Sequence, residues 1–337
     1  MRRYVLRRLA FLVPQLLAVI LIAFVIVQFT PGNPARAQLG SQAPEAAVEA
    51  LEQELGLDRP LPEQFVRYVA RVAQGSFGVS WVTGRPVAED LLQRAPVTLQ
   101  LITLSFLVSL LIAIPLGVAA AFRGGFVSRV ADRMSFVYGL MAGSIPDFWF
   151  ALILVFVFFS TLGLAPSPIG QLDLTIAPPP TRTGMLLVDS LLAGHWEAFW
   201  NHVGHLVLPV ATLVFINAAP ILRMTRNNVE ENLRSEYVYF ARANGLPRGD
   251  IVSYALKNSL LPIITLAGVW YTILIAGAVL TETIFSWGGV GQYAVQAVLN
   301  ADWSALQAVV LLAAAISLLV YLVVDLLHAW IDPRVRT

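Results

Sequence analysis

Long apolar runs alternate along the chain with shorter charged segments. A run of about 20 apolar residues is what an α-helix needs to cross the hydrocarbon core of a bilayer. Runs of this kind occupy residues 9–30, 97–121, 134–162, 203–222, 259–281 and 306–330. Backbone polar groups inside lipid must bond within their own segment, so each run is expected to be helical. The pattern predicts an all-α polytopic membrane protein with six transmembrane helices.

The composition supports a membrane environment. Of the 337 residues 57% are hydrophobic and only 13% are charged, whereas about a quarter of the residues of a soluble domain are charged. The chain has no cysteine, which excludes disulfides, thiol catalysis and cysteine-ligated zinc.

Basic residues are concentrated in alternate segments. Fifteen of the 22 Lys and Arg residues lie in the N-terminus, the loops after the second and fourth runs, and the C-terminal tail, among them Arg123, Arg334 and Arg336. The loop after the third run carries Arg182 alone, and the loop after the fifth run carries none. Because short cytoplasmic loops are enriched in Lys and Arg, both termini are predicted to be cytoplasmic.

The N-terminal region has a second interpretation, a cleaved signal peptide. The sequence RRYVLRR, an apolar run and the residues Pro-Ala-Arg-Ala at 34–37 resemble such a peptide. The run of about 21 residues exceeds the 7–15 of a signal h-region, which favours a retained first span.

The chain divides into three predicted regions. Residues 1–30 form the cytoplasmic N-terminus and first span, 31–96 an external segment, and 97–337 a five-helix core with a cytoplasmic loop at 223–258. Apolar spacing predicts two short amphipathic helices in the external segment, near 44–57 and 62–75, packed on the outer ends of the spans. The proline-rich 164–201 segment is predicted to be an irregular loop with a short helix near 185–199.

Prolines and small residues shape the predicted helices. The third run is too long for a perpendicular helix and contains Pro146, so it is expected to tilt or kink. Pro115, Pro209 and Pro220 are also expected to interrupt spans. The residue pairs that should allow close helix packing are Ala113 with Gly117, Gly139 with Gly143, and Ala276 with Gly277.

Enzyme motifs are missing from the sequence. A phosphate-binding P-loop needs a lysine in G-x-x-x-x-G-K-[ST], and the single lysine, Lys257, lies in ALKNSLLP. His195, His202 and His205 have a spacing compatible with a metal site on a helix, but histidines at a membrane interface are the favoured interpretation and no metal is predicted.

Ionisable residues within spans are expensive unless they face protein or water. Asp147 lies near the middle of the third run, and lining of a polar pathway and a structural helix contact are equally open for it. Asp325 and Glu282 lie near the interfaces, where structural pairing is favoured. Asp147, Asn217 and Glu282 are the candidate pathway residues.

The loop at 223–258 is the most informative segment. It is long and dense in charge, which indicates more than a connector. Tyr237, Ala241 and Gly245 share one helical face, and Gly245 followed by Leu246-Pro247 should end that helix. A short projecting helix with a small-residue face suits a groove of another protein.

This loop resembles the cytoplasmic signature of permease subunits of ATP-binding-cassette (ABC) importers. Ala241, Gly245 and the pair Leu261-Pro262 match its pattern of Glu-Ala-Ala, three residues, Gly and a later Leu-Pro. Tyr239 and Phe240 replace the leading Glu and first Ala, and the spacing from Gly to Pro is longer. Both departures look like those of the dipeptide/oligopeptide branch of this family. The sequence EYVYFARANGL at 236–246 resembles the form of the signature in that branch.

The resemblance extends over nearly the whole chain, from YVLRRL and TPGNPA to SIPDFW, HLVLPVATL and VDLLHAWIDPRVR. It implies a type I importer permease in a prokaryotic plasma membrane. The ATPase-coupling residues that it implies are Glu236, Tyr237, Ala241, Arg242, Ala243, Gly245 and Leu246.

The resemblance also implies partners and cargo. These are a second homologous permease, two ABC ATPases that carry ATP and Mg, and an extracytoplasmic solute-binding protein; the chain itself would bind no cofactor and be non-catalytic. The cargo would be dipeptides or oligopeptides, with oligosaccharides or nickel complexes as alternatives. An ion-coupled secondary carrier is the rival class, but the inverted repeats and paired broken helices frequent in that class are not found in the sequence.

Overall fold

The computed structural model describes residues 2–29, 34–39, 42–122 and 126–331. Within these ranges the chain is helical apart from its loops and one isolated β-bridge, between Val79 and Pro86. The helices are α1 Arg2–Phe29, α2 Pro34–Leu39, α3 Glu45–Leu55, α4 Leu61–Ala73, α5 Val87–Ala121, α6 Phe126–Ser144, α7 Asp147–Leu154, α8 Leu186–Ala193, α9 Trp196–Leu233, α10 Glu236–Ala243, α11 Arg248–Ile284, α12 Val290–Leu299 and α13 Trp303–Ile331. A π-helical segment, Val155–Thr161, continues α7.

Five of these helices, α1, α5, α9, α11 and α13, are each long and apolar enough to cross a membrane. The sixth span is a bent pair, α6 with α7 and its π-helical continuation. With this pair counted as one span, the predicted all-α polytopic fold with six spans is confirmed.

The third span bends by 105°, far more than the predicted tilt or kink. Pro146 disfavours the helical conformation for Ile145, so α6 ends at Ser144 and α7 begins after the proline. Two contacts with α9 hold the bend open. The hydroxyl of Tyr138 donates to the carbonyl of Phe215 at 2.5 Å, and the Phe150 ring stacks on the Phe215 ring with centroids 3.9 Å apart.

The centre of the bundle is the contact between α5 and α9. A stripe of small side chains on α5 is buried at every fourth position: Ser105, Ser109, Ala113, Gly117 and Ala121. A Cβ atom at Gly117 would lie 2.8 Å from the Thr225 Cβ, so a glycine is required there and the predicted close packing is confirmed. Among the described residues no atom lies within 4 Å of a Cβ placed at Gly143, so this part of the chain does not make the predicted close helix contact there.

Three helices extend well beyond the apolar runs. α5 begins at Val87, α9 runs from Trp196 to Leu233 and α11 begins at Arg248. Most of the 223–258 segment that was predicted as a cytoplasmic loop is helical, because only 234–247 separates α9 from α11. Hydropathy detects the part of a helix that lies in lipid, whereas a helix can continue into water when its sequence favours it. Pro115, Pro209 and Pro220 lie inside continuous helices, contrary to the prediction, and of the four prolines expected to interrupt spans Pro146 alone does so.

The external segment folds onto the bundle as short helices. α3 and α4 correspond to the two predicted amphipathic helices. Phe65, Val69 and Val72 of α4 pack against Ile20 and Phe24 of α1. The predicted helix in the proline-rich segment is α8, which is shorter than expected because α9 starts at Trp196.

Some predicted features lie outside the described residues. These are Arg123, Arg334, Arg336, residues 30–33 of TPGNPA, and the end of VDLLHAWIDPRVR.

Candidate functional site

The coupling candidate is α10, a helix of eight residues between α9 and α11. Its C-terminus has the Schellman pattern, in which Leu246 N–H donates to the Ala241 carbonyl at 3.1 Å and Gly245 N–H to the Arg242 carbonyl at 3.0 Å. Gly245 has φ +76°, a left-handed conformation that glycine adopts without steric penalty. The prediction that Gly245 ends this helix is confirmed.

An apolar cluster fixes the rotation of α10. Val238 is fully buried and packs with Leu233, Ile251 and Ala255, and Leu246 covers the same cluster from the other end of α10. The helix is therefore attached to the cytoplasmic ends of both α9 and α11 rather than suspended in solvent.

Most of the α10 surface is exposed, and its two most exposed aromatic side chains lie outside the predicted small-residue face. Tyr239 and Phe240 are 78% and 71% exposed, whereas Ala241 is half-buried and Tyr237 donates from its hydroxyl to Asn232 Oδ1 at 2.8 Å. Of the predicted small-residue face, Tyr237 and Gly245 are exposed and Ala241 is half-buried. The burial of Val238 decides this rotation, and sequence spacing alone could not reveal it.

The side-chain amide of Asn232 links α9 to α11 close to α10. Asn232 Nδ2 lies 2.9 Å from both the Asn228 carbonyl and the Ser259 hydroxyl. Because Asn232 also accepts the Tyr237 hydroxyl, one side chain connects three helices. The other coupling candidates, Glu236, Arg242 and Ala243, are exposed on α10.

Among the pathway candidates, Asp147 is the one with an accessible side chain. It is half-buried at the start of α7, and its Oδ1 accepts Phe148 N–H at 2.8 Å. Its carboxylate lies beside Gly277 of α11, where a Cβ would be 3.7 Å from Asp147 Oδ2. Among the described residues no cation pairs with it. The carboxylate therefore sits at the break of a membrane span without a countercharge from that part of the chain.

Glu282 and Asn217 are buried in this conformation. Glu282 is 0% exposed and accepts the Thr98 hydroxyl at 2.5 Å and Gln292 N–H at 3.1 Å. Thr98 in turn accepts Val290 N–H at 2.8 Å. Asn217 is 5% exposed and donates to the Leu213 carbonyl at 2.6 Å. The structure thus gives Glu282 the pairing role that its position favoured and does not place it with Asp147.

Sequence reasoning missed further buried carboxylates at the outer end, among them Asp90 and Asp302. Asp90 of α5 is contacted by the Arg85 guanidinium at 2.5 Å and by the Tyr293 hydroxyl at 3.1 Å. Burial raises the pKa of Tyr293 to about 12. Asp302 accepts the Ser80 hydroxyl at 2.5 Å and Ala305 N–H at 3.1 Å. An acidic residue just before or within a first helical turn is the signal that could have found both.

Polar contacts hold the external loop before α8 against α9. His202 is fully buried, with one ring nitrogen 2.9 Å from the Gln171 carbonyl and the other 2.6 Å from Gln100 Nε2. His205 lies 3.2 Å from Asp173, whose pKa is lowered first by the hydrogen bond from Asn201 and then by His205. The histidines thus hold the loop in place. Within the described ranges no group of three metal-binding side chains occurs.

Asp325 has the structural pairing that was predicted for it. Its carboxylate lies 3.0 Å from the Arg8 guanidinium and ties α13 to α1.

Known proteins resemble this chain over its full length. Residues 1–102 match the N-terminal component and residues 113–337 the main component of the family "Binding-protein-dependent transport system inner membrane component". The chain is 41% identical over 318 residues to a probable D,D-dipeptide transport system permease of Escherichia coli (strain K12), covering 94% of this chain and 92% of the relative.

Two further relatives match over comparable lengths. A dipeptide transport system permease of Alkalihalophilus pseudofirmus is 35% identical over 337 residues, covering 100% of both chains. A di/tripeptide transport system permease of Pseudomonas aeruginosa (strain UCBPP-PA14) is 38% identical over 339 residues, covering 100% of this chain and 99% of the relative. The chain therefore belongs to the binding-protein-dependent transport system inner membrane component family, and it is a multi-pass permease subunit of an ABC importer in the plasma membrane.

Proposed function

We propose that this chain forms one half of a translocation pathway for dipeptides and short oligopeptides, with a second homologous permease as the other half. The cargo assignment is supported by the relatives, which are named as dipeptide and di/tripeptide permeases. No oligosaccharide or nickel permease is among the relatives described above. In this proposal the chain is non-catalytic and binds no cofactor, and two ABC ATPase subunits hold ATP and Mg.

The observation that carries the proposal is the geometry of α10. A short helix is fixed to both α9 and α11 through Val238 and Leu246, while Tyr239 and Phe240 project almost fully into the solvent. Large exposed aromatic side chains in water mark an interaction surface more often than a structural role. In our proposal these two rings enter a groove of the ATPase.

Movement of α10 would reach the far side of the membrane through continuous helices. α9 has 38 residues and α11 has 37, so at 1.5 Å per residue each extends for about 55 Å. The Asn232 contacts with Ser259 and Tyr237 make the three helices move together at the cytoplasmic end. ATP binding that draws two such helix pairs together would then open the bundle outward.

Asp147 is the residue of this chain that we assign to the pathway wall. A carboxylate in a membrane span is stable when it faces water or a cation, and the break at Pro146 exposes backbone polar groups at the same place. A peptide in transit carries a protonated amino group that Asp147 could contact. Asn217 would line the route after a rearrangement, because it is buried in this conformation, whereas Glu282 keeps its structural pairing with Thr98.

The external solute-binding protein is assigned to the loop before α8. This loop is held by Gln171, whose amide donates to the Trp287 carbonyl at 3.1 Å, and by the Asp173 contacts with α9. It nevertheless presents Ile169 and Leu174 outward, at 69% and 105% exposure. A rigid loop with exposed apolar side chains is suited to docking, since little ordering entropy is lost on binding.

The decisive experiment is reconstitution of the chain with its second permease, its ATPases and binding protein in liposomes. Wild-type protein should take up a labelled dipeptide only with ATP. The double variant Tyr239→Ala/Phe240→Ala should lose ATP-driven uptake and co-purification with the ATPases, yet remain folded. Tyr254→Ala is the matched control, because Tyr254 is a 49% exposed aromatic residue on α11 and should leave both unchanged. Uptake by the purified chain alone, driven by an ion gradient, would contradict the proposal.

A further inference from the structure

A cavity of about 170 Å³ lies between α1 and α13, near the ends that the charge pattern places in the cytoplasm. None of the proposed transport contacts uses it. Its walls come from two antiparallel helices, one at each end of the chain.

The cavity is charged at its cytoplasmic end and mostly apolar deeper down, where Gln15 is a polar exception. Arg8 and Asp325 form an ion pair at its cytoplasmic end, with 3.0 Å between them. Leu12 and Leu318 form its deeper walls, and Gln15 lies seven residues beyond Arg8, a rise of about 10 Å along a helix. This gradient from charge to hydrocarbon matches the upper part of a phospholipid molecule.

Two polar side chains have no ionic or hydrogen-bond partner in the described part of the chain: Gln15, which lines the cavity, and Arg7, which lies beside it over the Phe11 ring. The Arg7 guanidinium carbon lies 5.9 Å from the centre of the Phe11 ring, which lines the cavity, and no carboxylate of the described residues pairs with it. The Gln15 amide, exposed at membrane depth, likewise forms no hydrogen bond to the described residues. A polar group in lipid without a protein partner needs one from elsewhere.

We propose that this cavity binds an anionic phospholipid of the cytoplasmic leaflet. Its phosphate would contact the guanidinium groups of Arg7 and Arg8, and the start of an acyl chain would lie along Leu12 and Leu318. Basic pockets between transmembrane helices on the cytoplasmic side bind anionic headgroups. The Asp325 carboxylate neutralises only one of the two guanidinium groups and holds that of Arg8 in place, so the local charge still favours an anion.

The test uses the complete purified importer and native mass spectrometry after exchange into phosphatidylglycerol or phosphatidylcholine. Phosphatidylglycerol should be retained on the complex, and Arg7→Gln should weaken its retention about fivefold, the effect of removing one basic side chain at an anionic surface. Arg7→Gln leaves the Arg8–Asp325 ion pair intact and is the first variant to use. Arg8→Gln should weaken retention at least as much.

Arg3→Gln is the matched control, because Arg3 is exposed at the same end of α1, whereas Arg7 lies over Phe11, a residue that lines the cavity. It should leave retention unchanged. Equal retention of the two lipids, or an equal loss with Arg3→Gln, would overturn the site in favour of diffuse attraction to a basic terminus. Displacement of the lipid by millimolar inorganic phosphate would overturn the lipid assignment, since a free anion would then suffice.

Discussion

The two ends of α11 are built differently. At its outer end Glu282 is fully buried and bonded to Thr98 and to the backbone of α12, and Trp287 beyond it is buried as well. At its cytoplasmic end a small apolar cluster holds α10, most of whose surface faces solvent. Buried, satisfied polar groups make an arrangement unique and costly to alter, whereas a lightly anchored surface helix can bind a partner and move. The outer end of α11, which we call the outer corner, is therefore the rigid end. Its cytoplasmic end with α10, which we call the working end, can bind a partner and move.

The largest expected effect tests the outer corner. Glu282→Ala removes the acceptor for the Thr98 hydroxyl and Gln292 N–H, which would remain buried without partners. We expect the free energy of unfolding to fall by roughly 3–5 kcal/mol, measured by thermal denaturation of the purified complex. Glu236→Ala on exposed α10 is the control and should change it by less than about 0.5 kcal/mol. If the two variants were equally stable, the outer end of α11 would be no more tightly packed than its cytoplasmic end.

The next prediction tests the working end. Gly245→Val places a β-branched residue at φ +76°, a conformation that costs roughly 1–2 kcal/mol for such a side chain. The last turn of α10 should be displaced, and ATP-driven uptake should fall about tenfold, the factor that corresponds to 1.4 kcal/mol. Membrane insertion should be unchanged.

Gly249→Val provides the matched control. Gly249 is exposed, has an ordinary φ, and has no atom within 4 Å of its Cβ position. Uptake by this variant should equal that of the wild type. Unchanged uptake by Gly245→Val would show that the end of α10 is not part of the coupling.

A smaller effect is expected between the outer corner and the working end, at Asp147. Asp147→Asn keeps an oxygen that can accept Phe148 N–H but removes the charge. We expect dipeptide uptake to fall a few-fold with thermal stability unchanged, and Asp147→Glu to retain most of the uptake. A variant that does not accumulate in the membrane would favour a purely structural role.

The smallest effect concerns the loop on the outer side. Hydrogen bonding lowers the pKa of Asp173 below 3.8, so its ionised form stabilises the loop above that pH. The stabilisation is lost as the pH falls through the lowered pKa, and Asp173 is 43% exposed, which limits its size. In thermal unfolding between pH 6 and pH 3, Asp173→Asn should show a shallower loss of stability than the wild type. An identical pH dependence would remove the role of this carboxylate.

Much of the molecule follows from the sequence alone. The six apolar runs predict membrane-spanning helices because lipid allows only helices and closed β-barrels, and runs of about 20 residues have the length of a helical span. Gly245 predicts the end of α10 because few other residues adopt its left-handed conformation. The short helices α3 and α4 follow from a local apolar spacing, which needs no knowledge of the partner surface.

Tertiary structure decided what depends on contacts between distant segments. The 105° bend depends on the contacts of Tyr138 and Phe150 with α9. Asp302 is buried against Ser80, which lies more than 200 residues away in the sequence. The exposure of Tyr239 and Phe240 follows from the docking of Val238 against α9 and α11. Sequence periodicity states which residues share a helical face, but only packing determines which face turns to the core and which is left for a partner.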